Sequence, residues 1–538
     1  MTPLKSFVSR TSGQWIRTVA VLLVLVWLAV IIAGCASHKP PPRPTPTAAL
    51  APQPGGALAA VEERLAKDHG PQRSGFMLLE RNEDALLWRL ALIDSARHTL
   101  DLQYYVWFGD RVGQLLMARV LAAADRGVKV RILFDDLNSM LHDMTHVELR
   151  DEALAMIDRH PNIEIRLFNG WQGRGLVERV IEGTTRFTQL NRRMHNKQMI
   201  ADNRLAIIGG RNIGDEYFGL NDAFNFHDLD VLGAGPVARE ASTVFDRYWN
   251  ADFVRNPPPL QSKTAASGIK AAALEMSDAG RKALMEVKAD RRGGRLLSGE
   301  RSWDAELQAL PARLLPGTGR VAADPAARDE RTRNRMPQAI HQLMMSAKQE
   351  VLITNAYIIP DEGFIEDLKT LTARGVKIRI LTNSLSSHDV PAVNSHYEAW
   401  RIPLLKLGIE LHELRSDAAI QGSLVDTAPV RGEFVGLHVK AMVVDRQRAF
   451  VGSMNLDPRS EVFNSEMGVV IDSPELAAQL ARNMARDMSG ANSWRVRLDE
   501  RQRLKWHSDA GTLERQPARD FMQRLENLFF KAFPRSLY

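Results

Sequence analysis

Cysteine is almost missing from this chain: one in 538 residues. That excludes an internal disulfide framework, a Cys-x-x-Cys redox pair and a cysteine-rich zinc centre. No His-Glu-x-x-His, P-loop or Gly-x-Gly-x-x-Gly occurs, so neither metal nor nucleotide is implied and no cofactor is expected. Charge of one sign is also scarce. Lys and Arg number 70 against 64 Asp and Glu, a surplus of 6 spread over the whole chain. Such a surplus suits an anionic partner, a phosphate or a lipid headgroup. With no basic tail and no aromatic stacking module, a nucleic-acid partner is not expected. Apolar residues at 45% and charged residues at 25% are ordinary globular values. They exclude a disordered, collagenous or polytopic membrane chain. At roughly 150 residues per domain, the length suggests two to four domains.

One long apolar run is present. Lys5, Arg10 and Arg17 precede residues 19–34, which are uncharged and mostly apolar. The run is short for a membrane-crossing helix but suits the h-region of a signal peptide. It ends Ile32-Ala33-Gly34-Cys35, which resembles the lipobox of bacterial lipoproteins, where the cysteine is lipidated and becomes the first mature residue. An uncleaved signal anchor is the alternative. Both readings export the body to the periplasmic side of a bacterial membrane, and Ala36 after the cysteine favours the outer membrane by resemblance to lipoprotein sorting. Prolines at 40, 41, 42, 44, 46, 52 and 54 follow, so the expected order is signal peptide 1–34, then an extended Pro-rich tether 35–61.

The remainder repeats itself. Arg126-Gly127-Val128-Lys129-Val130-Arg131-Ile132-Leu133 returns as Arg374-Gly375-Val376-Lys377-Ile378-Arg379-Ile380-Leu381. Looser matches flank it in the same order, which chance does not produce. Each copy alternates strand and helix: 99–107 reads as an apolar strand, 112–125 as a helix closed by Gly127, and 128–134 as a second strand. Nearly continuous apolar strands between helices predict an α/β fold of two duplicated lobes, each a mainly parallel sheet flanked by helices. The lobes are placed at 62–260 and 330–538, with a linker or insertion at 261–329.

A second pair of matches carries chemistry. Met194-His195-Asn196-Lys197 runs on to Asp202, Gly209 and Asn212; Leu437-His438-Val439-Lys440 runs on to Asp445, Gly452 and Asn455. From each histidine, Lys stands at +2, Asp at +7, Gly at +14 and Asn at +17. Both stretches read as strand, polar turn, strand, so His and Lys project from one side of a hairpin. A neutral imidazole can attack phosphorus, and a protonated one can donate to a leaving alcohol. Lys197, Lys440, Asn212 and Asn455 can hold non-bridging phosphate oxygens. Since one histidine must attack while the other protonates, the two copies are expected to form a single site at the lobe interface. Asp228 and Glu466, at comparable positions after the motifs, are expected to orient the histidines. Asp202 and Asp445 complete the motif, but lie in the hairpin turns, where support of structure is expected rather than reaction. His227, beside two acids, reads as a structural ion pair. His388, His396 and His412 lack metal-ligand spacing and are expected in loops or at the surface.

These residues resemble the signature of the phospholipase D superfamily, His-x-Lys-x₄-Asp in duplicate. The flanks Leu190-Asn191-Arg192-Arg193, Gly209-Gly210-Arg211-Asn212 and Asn455-Leu456-Asp457-Pro458-Arg459-Ser460 are similar to those of bacterial cardiolipin synthases, the C type above all. The resemblance implies a metal-free phosphohistidine mechanism with His195 as nucleophile and His438 as acid and base. It also implies phospholipid substrates: phosphatidylglycerol, with phosphatidylethanolamine as a second donor. The reading is therefore a membrane-tethered phosphatidyltransferase making cardiolipin. Hydrolysis to phosphatidic acid, a nucleic-acid phosphodiesterase and a non-enzymatic scaffold are the rivals, and the need for a protein partner stays open. Arg192 and Arg193 are candidates for headgroup binding. The C-terminal pattern Phe521, Met522, Leu525, Leu528, Phe529 and Phe533 predicts an amphipathic helix packed on the second lobe, with membrane contact as the alternative.

Overall fold

The computed structural model describes residues 43–136, 153–170, 187–257, 302–326, 334–428 and 430–531. Cys35 and the leader lie outside these, as does Phe533. Residues 43–56 are extended but bound along their length. Arg166 donates to the Thr45 carbonyl (2.6 Å), Trp249 Nε1 to Thr47 Oγ1 (2.8 Å), and Arg204 to the Gln53 carbonyl (2.8 Å). The Pro-rich stretch is thus a strap on the first lobe from residue 43 onward, and helix α1 (Ala57–His69) begins before it was expected to end.

The first lobe continues with β1 (Ser74–Leu79), α2 (Asn82–Ser95), β2 (Thr99–Tyr104), α3 (Arg111–Asp125), β3 (Lys129–Asp135) and β4 (Ile163–Phe168). Then come β5 (Gln198–Ala201), β6 (Leu205–Gly209), β7 (Phe224–His227), β8 (Asp230–Ala234) and α4 (Pro236–Trp249). Helix α5 (Trp303–Ala309) and β9 (Leu315–Ala323) follow. The second lobe holds α6 (Met336–Met345), β10 (Glu350–Asn355), α7 (Glu362–Ala373), β11 (Lys377–Asn383), α8 (Pro391–Tyr397), β12 (Glu410–Leu414) and β13 (Phe434–Leu437). It closes with β14 (Lys440–Val444), β15 (Arg448–Gly452), β16 (Met467–Asp472), α9 (Pro474–Asp487), β17 (Ser493–Leu498) and α10 (Phe521–Phe530).

The duplication is visible as spatial order. Lobe one runs β8-β6-β5-β2-β3-β4 and lobe two β16-β15-β14-β10-β11-β12. β2, β3 and β4 are mutually parallel, as are β10, β11 and β12. The other ladders within these two runs are antiparallel, because each motif folds as a hairpin that adds its own return strand, so the sheets are mixed. The repeated octapeptide has a physical reason at each end. Gly127 and Gly375 take φ of 96° and 80°, the left-handed turn that ends α3 and α7. Arg126 donates to the carbonyls of Ile93 and Asp94, and Arg374 to those of Met345 and Ala347, tying each helix end to the preceding helix.

The inner faces of the two sheets share one core with α4 and α9, drawing in Phe76, Ile200, Phe245, Leu352, Val443 and Leu480. Burying each such side chain is worth about 1.5–3 kcal/mol. Strand β9, from the stretch read as a linker, seals the lobes: Leu315–Gly317 pair with β1, and Thr318–Ala323 with β16. No helix among the described residues is long and apolar enough to cross a membrane. Helix α10 forms as its periodicity predicts but lies the other way round from the expected packing. Gln523 and Asn527 are buried, at 4% and 3% exposure, while Phe521 is 74%, Met522 58% and Leu528 61% exposed.

Candidate active site

Each motif histidine sits just ahead of a hairpin, β5–β6 or β14–β15. The turns are Asp202-Asn203 and Asp445-Arg446, all four residues with φ near +50°. The Asp202 carboxylate accepts the backbone N–H groups of Arg97, His98 and Thr99; that of Asp445 accepts those of Lys348, Gln349 and Glu350. Burial opposes the Asp445 charge, but these three donors hold its carboxyl below the ordinary range. Both aspartates lock a hairpin to the head of its neighbouring strand, and neither hydrogen-bonds its motif histidine.

The histidines are held crosswise. His195 Nδ1 lies 2.8 Å from Glu466 Oε2, and His438 Nδ1 lies 2.6 Å from Asp228 Oδ2. Each ring is therefore oriented by the carboxylate of the other lobe. The backbone repeats the exchange: His195 N–H donates to the Ser465 carbonyl, and His438 N–H to the His227 carbonyl, both at 2.8 Å. The parallel pairing of β7 with β13 and the bridge between Met194 and Ser465 carry these contacts. Lys197 and Lys440 turn back to the carbonyls of His195 and His438, at 2.5 and 2.6 Å.

The two carboxylates differ in surroundings. Burial pushes Glu466 up to about 7, against the pull of Lys197 and of a hydrogen bond from Ser453 Oγ (2.5 Å). Burial also works against the Asp228 charge, yet His438, Lys440 and Arg211 hold it below the usual carboxylate range. Where the second lobe has Ser453, the first has Gly210, at which a Cβ would collide with the Asp228 carboxylate. Burial and the nearby lysines lower both histidines, His195 well below its ordinary value. Burial lowers Lys197 strongly and brings Lys440 down to about 8.

The asparagines are unequal. Asn212 donates to Tyr217 OH (3.0 Å) and accepts from Val106 N–H (3.3 Å), whereas Asn455 Oδ1 is buried without a partner. Arg193 and Arg192 are not presented at the surface. Both are buried, and Arg193 lies 3.4 Å from Asp135, which also accepts the Met194 N–H and so fixes the approach to His195. His227 does meet a carboxylate, but that of Asp487 on α9 (2.9 Å) rather than those of the acids beside it. Glu80, His227 and Asp487 converge as potential metal ligands, but Arg486 bridges the two carboxylates at 2.6 Å each, a guanidinium in a cation's place. His388 lies in a loop, as expected, but His396 is in α8 and His412 in β12, and all three are buried. Burial and three nearby arginines bring His412 down to about 4.

Aromatic walls escaped the sequence reading. Tyr105 meets the His195 ring edge-on at 5.0 Å, and Tyr217 and Phe226 meet His438 at 5.3 and 5.0 Å. Lys197 and Lys440 lie 5.3 and 5.8 Å from the rings of Tyr105 and Tyr357, and Tyr357 OH donates to Asp389 (2.8 Å). Single tyrosines after an apolar strand carry no spacing signal. Ser453 did have one, since it breaks the match to Gly210.

A family model described as cardiolipin synthase, PLD-like domain, matches residues 90–249 and 340–488. Cardiolipin synthase C of Escherichia coli is 36% identical over 482 residues, 87% of this chain and 96% of that protein. A cardiolipin synthase of Geobacillus kaustophilus is 23% identical over 417 residues, 77% of this chain and 66% of that protein. Among solved structures, the phosphatidylserine synthase of Haemophilus influenzae has a TM-score of 0.52 at 13% identity, covering 79% of this chain and 91% of that one, a likeness of fold.

Proposed function

The chain belongs to the phospholipase D-like family of the cardiolipin synthases, and from that membership we propose that it is a phosphatidyltransferase that makes cardiolipin. The observation that carries the mechanism is the crosswise site, in which two histidines and two lysines from both lobes enclose one position for a phosphodiester. His195 Nε2 forms the bond to phosphorus, the bond from phosphorus to the leaving glycerol or ethanolamine oxygen breaks, and His438 gives that oxygen its proton. A phosphatidylglycerol hydroxyl then returns a proton to His438 as its oxygen bonds phosphorus and the P–N bond breaks. Asp228, kept ionised, supports the cation on His438. Glu466, with its high proton affinity, suits a neutral His195, and this difference supports His195 as nucleophile. Lys197, Lys440 and Asn455 hold the non-bridging oxygens. Transfer rather than hydrolysis requires that the acceptor be positioned and water kept out, which the buried site favours.

We place the protein in a bacterial envelope membrane, exported and lipidated at Cys35. Arg43, paired with Asp252, is already bound to the body eight residues after Cys35, which limits the body to about 30 Å from the anchor. The test is a product assay by mass spectrometry on vesicles of phosphatidylglycerol, with and without phosphatidylethanolamine. Cardiolipin is expected, falling by roughly 10²–10⁴-fold or more in His195→Ala and in His438→Ala. Substantial product from either variant overturns the two-histidine mechanism, and phosphatidic acid alone would make the protein a hydrolase.

A further inference from the structure

Helix α10 is amphipathic, yet it turns its polar side inward. Gln523 Nε2 donates to the Leu385 carbonyl (2.6 Å), Asn527 Nδ2 to Glu398 (2.5 Å), and Asn394 to Asn527 Oδ1 (2.7 Å). Asp520 caps the helix by accepting the Gln523 N–H (2.7 Å). These bonds fix the rotation of the helix, so the outward direction of Phe521, Met522, Leu525 and Leu528 is built in. Isolated exposed apolar side chains are ordinary, but a contiguous face on one helix marks a contact surface.

We propose that α10 is an interfacial helix that lays the second lobe on a phospholipid surface. Two observations choose this occupant. The apolar face carries phenylalanine and leucine, the side chains that enter the acyl boundary, and is flanked by Arg524 on one side and Glu526 on the other. The helix is pinned to the segment that reaches the site: Arg519 donates to the carbonyls of Ser386 and His388, His388 stacks on Tyr357, and Tyr357 bonds Asp389 beside Lys440. Helix α10 is therefore joined to the reacting groups through Arg519, His388 and Tyr357. In choosing lipid over a protein partner, the inference also rests on the phospholipid reading above.

The full chain carrying Cys35→Ser and Leu525→Cys, labelled with an environment-sensitive fluorophore, is mixed with phosphatidylglycerol vesicles. Its emission should move to the blue, while the same label at Glu366→Cys on α7 should stay unchanged. No shift at 525, or an equal shift at 366, overturns the proposal and leaves the face to a protein partner. A second readout is the ratio of turnover on vesicles to turnover on monomeric short-chain phosphatidylglycerol. In the triple variant Phe521→Gln, Leu525→Gln, Leu528→Gln this ratio should fall about tenfold. Equal loss on both substrates would mean a structural role and overturn it. If the unaltered chain turns over neither lipid, the synthase reading fails while the emission experiment still decides the role of α10.

Discussion

The crosswise site turns on the proton at Glu466. In the proposed mechanism His195 attacks through Nε2 only if Nδ1 keeps its proton and donates it to a carboxylate, so Glu466 must be ionised. Since burial puts that ionisation near 7, kcat/KM should rise as pH climbs through about 7. It should fall again as His438, lowered by burial and needed protonated as the acid, and then Lys440, at about 8, lose their protons. The limbs belong to coupled groups and report the site as a unit. Ser453→Ala separates them. Its hydroxyl donates to Glu466 and helps to keep that carboxylate ionised. Without it Glu466 holds its proton to higher pH, so the acid limb should move upward and the alkaline limb stay in place. A pH–rate profile in which the acid limb does not move would exclude Glu466 as the controlling group.

At the scale of elements, much of the design stood in plain view in the sequence. The octapeptide at 126–133 and 374–381 encodes a helix stop, an arginine tie and a buried strand, all local features, and the motif spacing encodes two hairpins. What lay hidden is what depends on contacts distant in the chain. Strand β9 reads Leu-Pro-Gly-Thr-Gly-Arg-Val-Ala-Ala, with too little alternation to announce a strand, because it gains its place from β1 and β16 on either side. Periodicity found α10 but could not say which face turns inward, since the buried polar face is satisfied by partners 129 to 138 residues away. Local features permit a local test. Asp361 caps α7 by accepting the Phe364 N–H at 2.6 Å. Asp361→Ala should cost about 0.5–2 kcal/mol in denaturant unfolding, with turnover unaltered under folding conditions. Loss of turnover without loss of stability would mean the cap does something else.

Across the whole molecule, neither lobe can make a working site: each supplies the carboxylate and the backbone acceptor for the other's histidine. The relative placement of the sheets is therefore a catalytic variable, and β9 is the strand that sets it. Gly317 marks its crossing from β1 to β16, where an added Cβ would stand 2.6 Å from the Asp472 carbonyl and 2.8 Å from Ser473 Cβ. Backbone cannot yield there as a side-chain tip can, so Gly317→Val must push β9 away from the second lobe. Overpacking of this kind costs typically ~1–3 kcal/mol. Leu368→Ala, in the outer core of the second lobe, should cost ~2–5 kcal/mol by cavity formation. Assayed at a temperature where both variants remain folded, only Gly317→Val should lose turnover, although it is the less destabilised of the two. The reason is geometric: a cavity under α7 leaves the two histidine–carboxylate pairs in register, whereas a displaced seam draws both pairs apart at once. Equal turnover in the two variants would show that the β7–β13 pairing alone holds the site together and that β9 merely adds stability.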